Sequence, residues 1–328
     1  MSEREPELIL RNVVTDLLTH SCNLIRILGD KGLVELEKTE TGARQCTAEN
    51  EVWRHAVDLI RERGLPMRLN AEDHHPVTLA ENPEFEVWMD LMDGTAGFVR
   101  NKRSLGEPVT SVIAITPVKD NLSFKDVVAS GVIDIRTGEW WSAEKGKGAF
   151  TGALNLGVRT LGCEENKFKT TSQYQVHTPV HTTDPWRRVN GFVRFLWPQC
   201  HEVWNSGSVA MDMLLVALGE ADLFYNGLPS ISDEGQRGHE LAACYLLLKE
   251  AGDGYALDMR TEQDLADTSF IFDGQVPVVM GVNQEKVMEF WEKIKKNFAK
   301  LNLALVQGEI KSLKGLLDLI PPERWSLD

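Results

Sequence analysis

The sequence predicts an α/β protein built from two lobes. A chain of 328 residues can bury a large core, and two lobes are more typical of this length than one. The first half shows helical periodicity followed by segments that indicate an antiparallel sheet, whereas strands and helices alternate in the second half. We therefore expect one lobe at residues 1–155, a second at residues 156–328, and a cleft between them.

The first lobe is predicted to begin with two amphipathic helices, at residues 7–28 and 50–63, because apolar residues recur there at helical spacing and glycines follow. The glycine-rich segment at residues 145–150 is predicted to be a loop. Apolar, strand-like runs occupy four further segments of this lobe. Strands are predicted at residues 85–89, 109–118, 127–135 and 139–143.

The second lobe is predicted to start with a polar, loop-rich stretch at residues 156–183. A helix start is predicted at Asp184-Pro185, because proline is favoured at the first helical position. The remaining elements alternate in type. Strands are predicted at residues 199–204, 223–225, 269–272 and 276–280, and helices at residues 208–218, 240–251, 286–298 and 310–320.

The composition argues against several classes of function. The chain carries a formal net charge of −14 and has no basic patch, so binding of a nucleic-acid polymer is not expected. Its five cysteines are scattered and form no Cys-x-x-Cys pair, which argues against a zinc ribbon or a disulfide framework. There is no signal-peptide pattern and no apolar run of membrane-spanning length. We expect a soluble, cytoplasmic protein that does not contact a membrane.

The segment at residues 88–98 is the most informative for chemistry. A strand-like run ends there in Asp90 and Asp93, which are followed at once by Gly94 and Thr95. Two carboxylates at a strand end can share a hard cation, and a Gly-Thr turn that opens a helix offers backbone N–H groups to phosphate. Adjacent metal and phosphate sites are what metal-assisted phosphate hydrolysis requires. An acidic surface turn that only caps a helix is the alternative.

Four separated segments resemble the inositol monophosphatase-like, lithium-sensitive phosphatases. The segment at residues 90–95 resembles their Asp-Pro-Ile/Leu-Asp-Gly-Thr signature, and residues 239–252 resemble their Trp-Asp-x-Ala-Ala…Glu-Ala-Gly element. Residues 142–150 and 207–222 resemble the family's glycine-rich hairpin and the helix that closes its substrate pocket. The resemblance implies a two-lobed, layered α/β sandwich of the inositol monophosphatase and fructose-bisphosphatase type. It also implies Mg²⁺-dependent hydrolysis of a small phosphate monoester, with two or three ions.

The resemblance further implies roles for individual residues. The first lobe would carry the metal-binding signature and the second would complete the active site. The implied metal ligands are Glu72, Asp90, Asp93, Glu240 and the backbone carbonyl of Leu91. The implied contacts to phosphate or substrate are Gly94, Thr95, Ser208 and Asp233. The implied catalytic residues are Thr95, Asn50 and Glu72.

Position 50 departs from the family pattern in a way that bears on catalysis. Asn50 stands where the family has an aspartate that acts with the signature threonine to activate water. An amide cannot take up a proton at neutral pH, although it can orient a water molecule. Glu49 and Glu51 are the neighbouring carboxylates, but neighbours on a helix point in different directions.

Three further positions also depart. Glu240 replaces the usual aspartate, and its longer side chain can still bind magnesium. Leu91 replaces a proline, which frees the turn between the two aspartates. His239 replaces a tryptophan, and a histidine bonded locally at a helix start is favoured there over a contact with substrate or metal.

The sequence leaves the substrate and the turnover open. An inositol or sugar phosphate is the first expectation for the small phosphorylated substrate. Gly97-Phe98 with Arg100 beyond resembles the 3′-phosphoadenosine 5′-phosphate nucleotidases, which makes a nucleotide bisphosphate the alternative substrate. The departures from the pattern support a further alternative, a metal- or phosphate-binding member whose catalysis is impaired. The resemblance also suggests a homodimer.

Overall fold

The protein is described from a computed structural model that covers residues 9–30, 36–38, 44–72, 74–94, 108–153, 156–161, 174–177, 200–204, 206–227 and 235–306. These residues form mixed sheets with helices. The α-helices are α1 (Leu10–Asp30), α2 (Thr47–Glu62), α3 (Val209–Ala217), α4 (Gly238–Ala251) and α5 (Gln284–Val306). Two short 3₁₀ helices span Phe124–Asp126 and Leu265–Asp267. The described residues include no helix with both the length and the apolar character that a membrane crossing requires.

The strands belong to two large sheets and two small ones. Strands of the first half are β1 (Leu36–Lys38), β2 (Arg44–Cys46), β3 (Met67–Ala71), β4 (Val77–Thr78), β5 (Phe85–Asp93), β6 (Thr110–Pro117), β7 (Ala129–Asp134), β8 (Glu139–Glu144), β9 (Gly148–Ala153) and β10 (Leu156–Leu161). Strands of the second half are β11 (Tyr174–His177), β12 (Cys200–Trp204), β13 (Leu223–Asn226), β14 (Gln236–Arg237), β15 (Tyr255–Asp258), β16 (Gln263–Asp264), β17 (Gln275–Val276) and β18 (Val278–Gly281).

The first large sheet has eight strands in the order β10-β9-β8-β7-β6-β5-β3-β4, and the second has six in the order β12-β11-β13-β18-β15-β16. Pairing in the first is antiparallel except between β3 and β5. In the second, β11 runs parallel to both of its neighbours. The small sheets pair β1 with β2 and β14 with β17. The predicted lobe boundary at residue 155 stays a prediction.

Helices cover both faces of the eight-stranded sheet. Adjacent residues of a strand point to opposite faces, and β7 shows this at two neighbouring positions. The Ser130 hydroxyl donates to the Ala243 carbonyl of α4, at 2.8 Å. A side chain added at Gly131 would instead meet Val14 and Leu18 of α1, at 2.7 and 2.8 Å. Helices α1 and α4 therefore lie on opposite sides of the sheet.

The six-stranded sheet lies beyond α4, and its two faces pack into different cores. Phe224 of β13 belongs to the apolar cluster that includes α3 and α4. Its neighbours Leu223 and Tyr225 belong to the cluster that includes Phe290 and Trp291 of α5. The layers therefore run α1 and α2, first sheet, α3 and α4, second sheet, α5. The predicted layered α/β sandwich is confirmed, and α4 occupies the middle layer.

Most predicted elements are present with shifted ends, and the loop predicted at residues 145–150 is shorter than predicted. A turn occupies residues 145–147, and β9 begins at Gly148. Its glycines serve packing as well as turning, since a side chain at Gly152 would meet the Trp140 ring at 2.6 Å. Segment 156–183, also expected to be loop-rich, contains β10 and β11. Strand β10 lies at the edge of its sheet among the described strands.

Two strand predictions near residue 275 also need correction. Segment 269–272 is not a strand beyond an isolated bridge at Ser269, and Phe270 instead packs its ring against Trp88, at 5.2 Å between centroids. Segment 276–280 is divided between β17 and β18 at Pro277, which has no N–H for a ladder. The helices predicted to start at residue 184 and to span residues 310–320 lie outside the described residues.

The packing of α1 generates a stability prediction. Leu18 is fully buried under Gly131, whereas Ile27 on the same helix is 50% exposed. Leu18→Ala should lower the free energy of unfolding by about 2–5 kcal/mol, because it leaves a cavity between helix and sheet. Ile27→Ala should change it by less than about 1 kcal/mol. Urea denaturation of both variants measures this, and equal losses would contradict the described packing.

Candidate metal centre

A β-bulge in β5 brings the two signature aspartates to the same side of the strand. Asp90 is in register with Val112 of β6 and Asp93 with Thr110, so β5 has one more residue than β6 between the two pairs. In a regular strand, residues three apart point to opposite faces. The extra residue in the bulge brings Asp90 and Asp93 to the same face of the strand, so their carboxylates converge. Leu91 lies in the bulge with its side chain buried, and the role of its carbonyl as a ligand stays a prediction.

Asp93 is held by the first turn of α3. The Ser208 hydroxyl donates to Asp93 Oδ2 at 2.7 Å, and the Ala210 N–H donates to the same oxygen at 2.9 Å. The Ser208 hydroxyl also caps α3 by accepting the Met211 N–H at 3.1 Å, and it lies 2.9 Å from the Thr110 hydroxyl. Ser208 is fully buried and its hydroxyl is already used in these bonds. Its predicted contact with phosphate stays untested, whereas its contact with Asp93 is direct.

Glu240 approaches the aspartates from the first turn of α4. Ligand oxygens of Asp90, Asp93 and Glu240 all lie within 4.8 Å of one another. The side-chain amide of Gln236 donates to Glu240 Oε2, and Asn226 donates to Gln236 Oε1 at 2.9 Å. This buried chain of amides orients the carboxylate. The structure thus brings together three of the predicted metal ligands, from β5 and α4.

The electrostatics of this cluster favour a bound cation. Burial and the neighbouring Asp93 raise the pKa of Asp90 from 3.8 to about 7. Desolvation also raises the pKa of Asp93, although the hydrogen bonds from Ser208 and Ala210 oppose the rise. Buried carboxylates that repel one another are stabilised by a proton or by a shared cation. The donor set, carboxylate oxygens only, fits a hard divalent ion.

A second cluster adjoins the first and shares Asp90 with it. Atoms of Glu72, Asp90 and His239 also lie within 4.8 Å of one another. Glu72 forms an ion pair with Arg237, and its Oε2 lies 3.7 Å from His239 Nε2. Burial lowers the pKa of His239, and its Nδ1 lies 2.9 Å from the Phe272 carbonyl. Because Asp90 belongs to both clusters, the arrangement offers two neighbouring cation positions.

The first turn of α2 contains both Glu49 and the predicted Asn50, and they differ in exposure. Asn50 is exposed. Glu49 is half-buried, and its charge contributes to the raised pKa of Asp90. Glu51 forms a surface ion pair with Arg54 at 2.7 Å. The family pattern gives the role to position 50, and the sequence does not favour Glu49 because neighbouring residues on a helix point in different directions. The water-positioning role of Asn50 stays a prediction.

Gly94 follows the bulge in a conformation that suits glycine. Its φ is +89°, and a side chain there would meet the Pro108 carbonyl at 3.1 Å and the Gly207 carbonyl at 3.4 Å. This contact places the end of β5 beside the segment that leads into α3. Thr95 and Asp233 lie outside the described residues, as do Gly97, Phe98 and Arg100, so their predicted roles stay predictions.

Several residues that shape the centre were missed from the sequence. Gln236 and Asn226 orient Glu240, Thr110 borders Asp93, and Arg237 pairs with Glu72. No local pattern marks the first three, since their partners come from other elements. Arg237 lies two residues before His239. A single basic residue beside predicted metal ligands was the signal that could have identified it.

The family model of the inositol monophosphatase family matches residues 48–295, a range that contains every residue of both clusters. Among curated proteins, none matches the sequence. Solved structures do resemble the fold. The extragenic suppressor protein suhB from Bartonella henselae has a TM-score of 0.64 at 16% identity, over 88% of this chain and 98% of that chain.

Two further structures have similar values. An IMPase from Thermotoga maritima has a TM-score of 0.63 at 18% identity, over 88% of this chain and 98% of that one. The fructose-1,6-bisphosphatase of Leishmania major in holo form has a TM-score of 0.64 at 15% identity, over 86% and 93%. At these identities the likeness is one of fold, and it confirms the predicted type of layered sandwich.

The raised pKa of Asp90 predicts a pH-dependent stability for the metal-free protein. Asp90 binds its proton more tightly when folded than when unfolded, so its contribution to stability is present below pH 4 and is lost as the pH rises through about 7. Asp90→Asn has no carboxyl group to ionise, so this loss of stability with rising pH does not occur in the variant. In chelator, its stability relative to wild type should grow between pH 5 and pH 8, by on the order of 1–3 kcal/mol.

Urea denaturation at the two pH values measures this difference. Asp58→Asn is the matched control, because Asp58 lies on the surface of α2 in an ion pair with Arg61 at 2.6 Å. Its stability relative to wild type should stay constant with pH. A constant difference for Asp90→Asn as well would show that the Asp90 carboxylate is not buried against like charge.

Proposed function

The chain belongs to the inositol monophosphatase family, and from this we propose that it is a Mg²⁺-dependent phosphatase of small phosphate monoesters. The observation that carries the proposal is the convergence of Asp90, Asp93 and Glu240 on one cluster that shares Asp90 with a second. Elements distant in the chain hold these acids together although their charges repel. Such an arrangement is expected where cations and a phosphate must be brought into contact.

The carboxylates divide between two cation positions. Asp90, Asp93 and Glu240 would hold one ion, and Asp90 with Glu72 would hold the other. Divalent ions bound there would supply positive charge to the phosphate and lower the pKa of a water molecule. The protein keeps the ligands in place beforehand, because Ser208 and Ala210 hold one oxygen of Asp93 and Gln236 holds one oxygen of Glu240.

Phosphate binding is assigned to the turn after β5. Gly94 leaves the bulge with a positive φ and closely approaches Gly207, which precedes α3. Gly94 therefore lies between the acid cluster and the start of α3, and a backbone N–H group in such a position can bind an oxyanion. We assign the phosphate contact to Gly94 and the neighbouring Thr95, as the family resemblance implies.

Glu49 is assigned as the base that the family pattern lacks at position 50. Its carboxylate is half-buried in the first turn of α2, within electrostatic reach of Asp90. A carboxylate can accept the proton of an attacking water, whereas the amide of Asn50 can only orient that water. Relative to the family pattern, the proposed base is then displaced by one residue, from position 50 to position 49.

The second candidate function is binding of metal or phosphate without turnover. The ion pair between Arg237 and Glu72 favours it, because the guanidinium takes up charge on a predicted metal ligand. The two candidates differ in what happens to a phosphate monoester. Only the first releases inorganic phosphate.

A phosphate-release assay tests the proposed function. Inositol phosphates, sugar phosphates and 3′-phosphoadenosine 5′-phosphate form the panel, with Mg²⁺ present or removed by chelator. We expect turnover of at least one compound that depends on Mg²⁺, and a loss greater than about 100-fold in Asp93→Asn. Asp58→Asn should keep wild-type turnover. Silence across the panel, with Mg²⁺ binding intact by calorimetry, would support the binding protein instead.

Glu49→Gln tests the assigned base. It should lower kcat by about 10²–10⁴-fold, because the amide cannot take up a proton. Glu51→Gln is the control, because it makes the same change two residues further along α2. Glu51 is paired with Arg54 at the surface. Steady-state kinetics on the best substrate give the comparison. Equal rates in the two variants would remove Glu49 from the mechanism.

A further inference from the structure

The imidazole of His239 presents a buried nitrogen to the second cluster. His239 is fully buried, and its Nε2 has no hydrogen-bond partner among the described residues. We propose that His239 Nε2 is a metal ligand, and that with Glu72 and Asp90 it forms a site for a transition-metal cation such as Mn²⁺, Fe²⁺, Co²⁺ or Zn²⁺. The inference rests on the proposed metal-dependent function and adds a metal preference to it.

The hydrogen bond of the other ring nitrogen determines the tautomer. His239 Nδ1 lies 2.9 Å from the Phe272 carbonyl oxygen. A carbonyl can only accept, so the proton resides on Nδ1 and Nε2 carries a lone pair. Histidine ligands of metals commonly donate their second ring N–H to a backbone carbonyl in this way, which fixes the ring and increases the basicity of the ligating nitrogen.

The backbone around His239 prevents the ring from turning away. The His239 N–H donates to the same Phe272 carbonyl at 3.2 Å, and the Gly238 N–H donates to the Gly274 carbonyl at 2.9 Å. A side chain at Gly238 would lie only 2.0 Å from the Ile271 carbonyl oxygen, so the two segments are in close contact. The ring also packs on Phe272, at 4.6 Å between centroids. The imidazole is therefore held in one orientation.

The groups that face Nε2 are the carboxyl groups of Glu72 and Asp90. Glu72 Oε2 lies 3.7 Å away, too far for a hydrogen bond, and Asp90 completes the group within 4.8 Å. A nitrogen lone pair buried against carboxylate oxygens is unfavourable unless a proton or a metal cation lies between them. Metal bonds of about 2.0–2.2 Å to nitrogen and oxygen would span donors up to about 4.3 Å apart, so small movements complete the site.

The donor set distinguishes the two cation positions. Asp90, Asp93 and Glu240 offer oxygen only, which suits Mg²⁺. The position of Glu72, Asp90 and His239 adds imidazole, which suits the first-row transition metals and contributes little to Mg²⁺. Arg237 already neutralises the other oxygen of Glu72, so this position has less negative charge to offer a hard ion. We infer a centre whose two ions differ in kind.

The test is pulsed electron paramagnetic resonance of the full chain loaded with one equivalent of Mn²⁺. Wild type should show the coupling of a directly bound nitrogen, and His239→Phe should lack it while keeping the ring packing. Mn²⁺ affinity by calorimetry should fall about 10–100-fold in His239→Phe, with Mg²⁺ affinity nearly unchanged. His55→Phe is the control, because His55 is exposed on α2. It should behave as wild type.

Absence of the coupling in wild type, or its persistence in His239→Phe, would overturn the inference. If His239→Phe does not fold by circular dichroism, His239→Gln takes its place in the same measurement and should lack the coupling as well. The phosphatase proposal is tested separately. Turnover with Mg²⁺ but no nitrogen coupling rejects only the histidine ligand, whereas coupling without turnover on the panel rejects only the phosphatase.

Discussion

Buried carboxylates cannot remain ionised side by side without a counter-charge, and this constraint governs the centre of the molecule. Asp90, Asp93 and Glu240 lie within 4.8 Å of one another. The raised pKa of Asp90, to about 7, reflects the free-energy cost of that arrangement when no cation is present. The surrounding structure must oppose the repulsion. It does so with a bulge that sets the position of two acids and with hydrogen bonds that restrain individual oxygens.

Those restraints come from the middle layer of the sandwich. Helix α3 supplies its N-terminal groups to Asp93, and helix α4 supplies Glu240 and His239 from its own first turn. Both helices are packed between the two large sheets, where the largest apolar cluster lies. The acids of β5 therefore meet partners whose positions depend on the whole core, so the geometry of the centre and the stability of the fold are linked.

Much of the fold was predictable from the sequence because it rests on local patterns. The periodicity of residues 7–28 and 50–63 located α1 and α2, and the apolar runs located β6, β7 and β8. The predictions failed where packing decides. The end of the glycine-rich segment belongs to β9, a strand in which Gly152 makes room for the Trp140 ring, and Pro277 divides two strands that composition joined.

The centre itself was partly predictable. The spacing of Asp90 and Asp93 and the resemblance at residues 239–252 identified the acids that converge. The β-bulge, the partial burial of Glu49 and the hydrogen bond from His239 to Phe272 were not predictable, because they depend on register, helix rotation and a loop more than thirty residues further along the chain. Sequence spacing indicates which residue types are available, and long-range contacts decide which atoms meet.

The ion pair of Arg237 with Glu72 has a consequence for how the protein acquires its metals. The guanidinium is a tethered cation at the rim of an otherwise anionic centre, and it partly balances the charge there before any ion arrives. A metal ion that binds Glu72 must therefore compete with this guanidinium for the carboxylate.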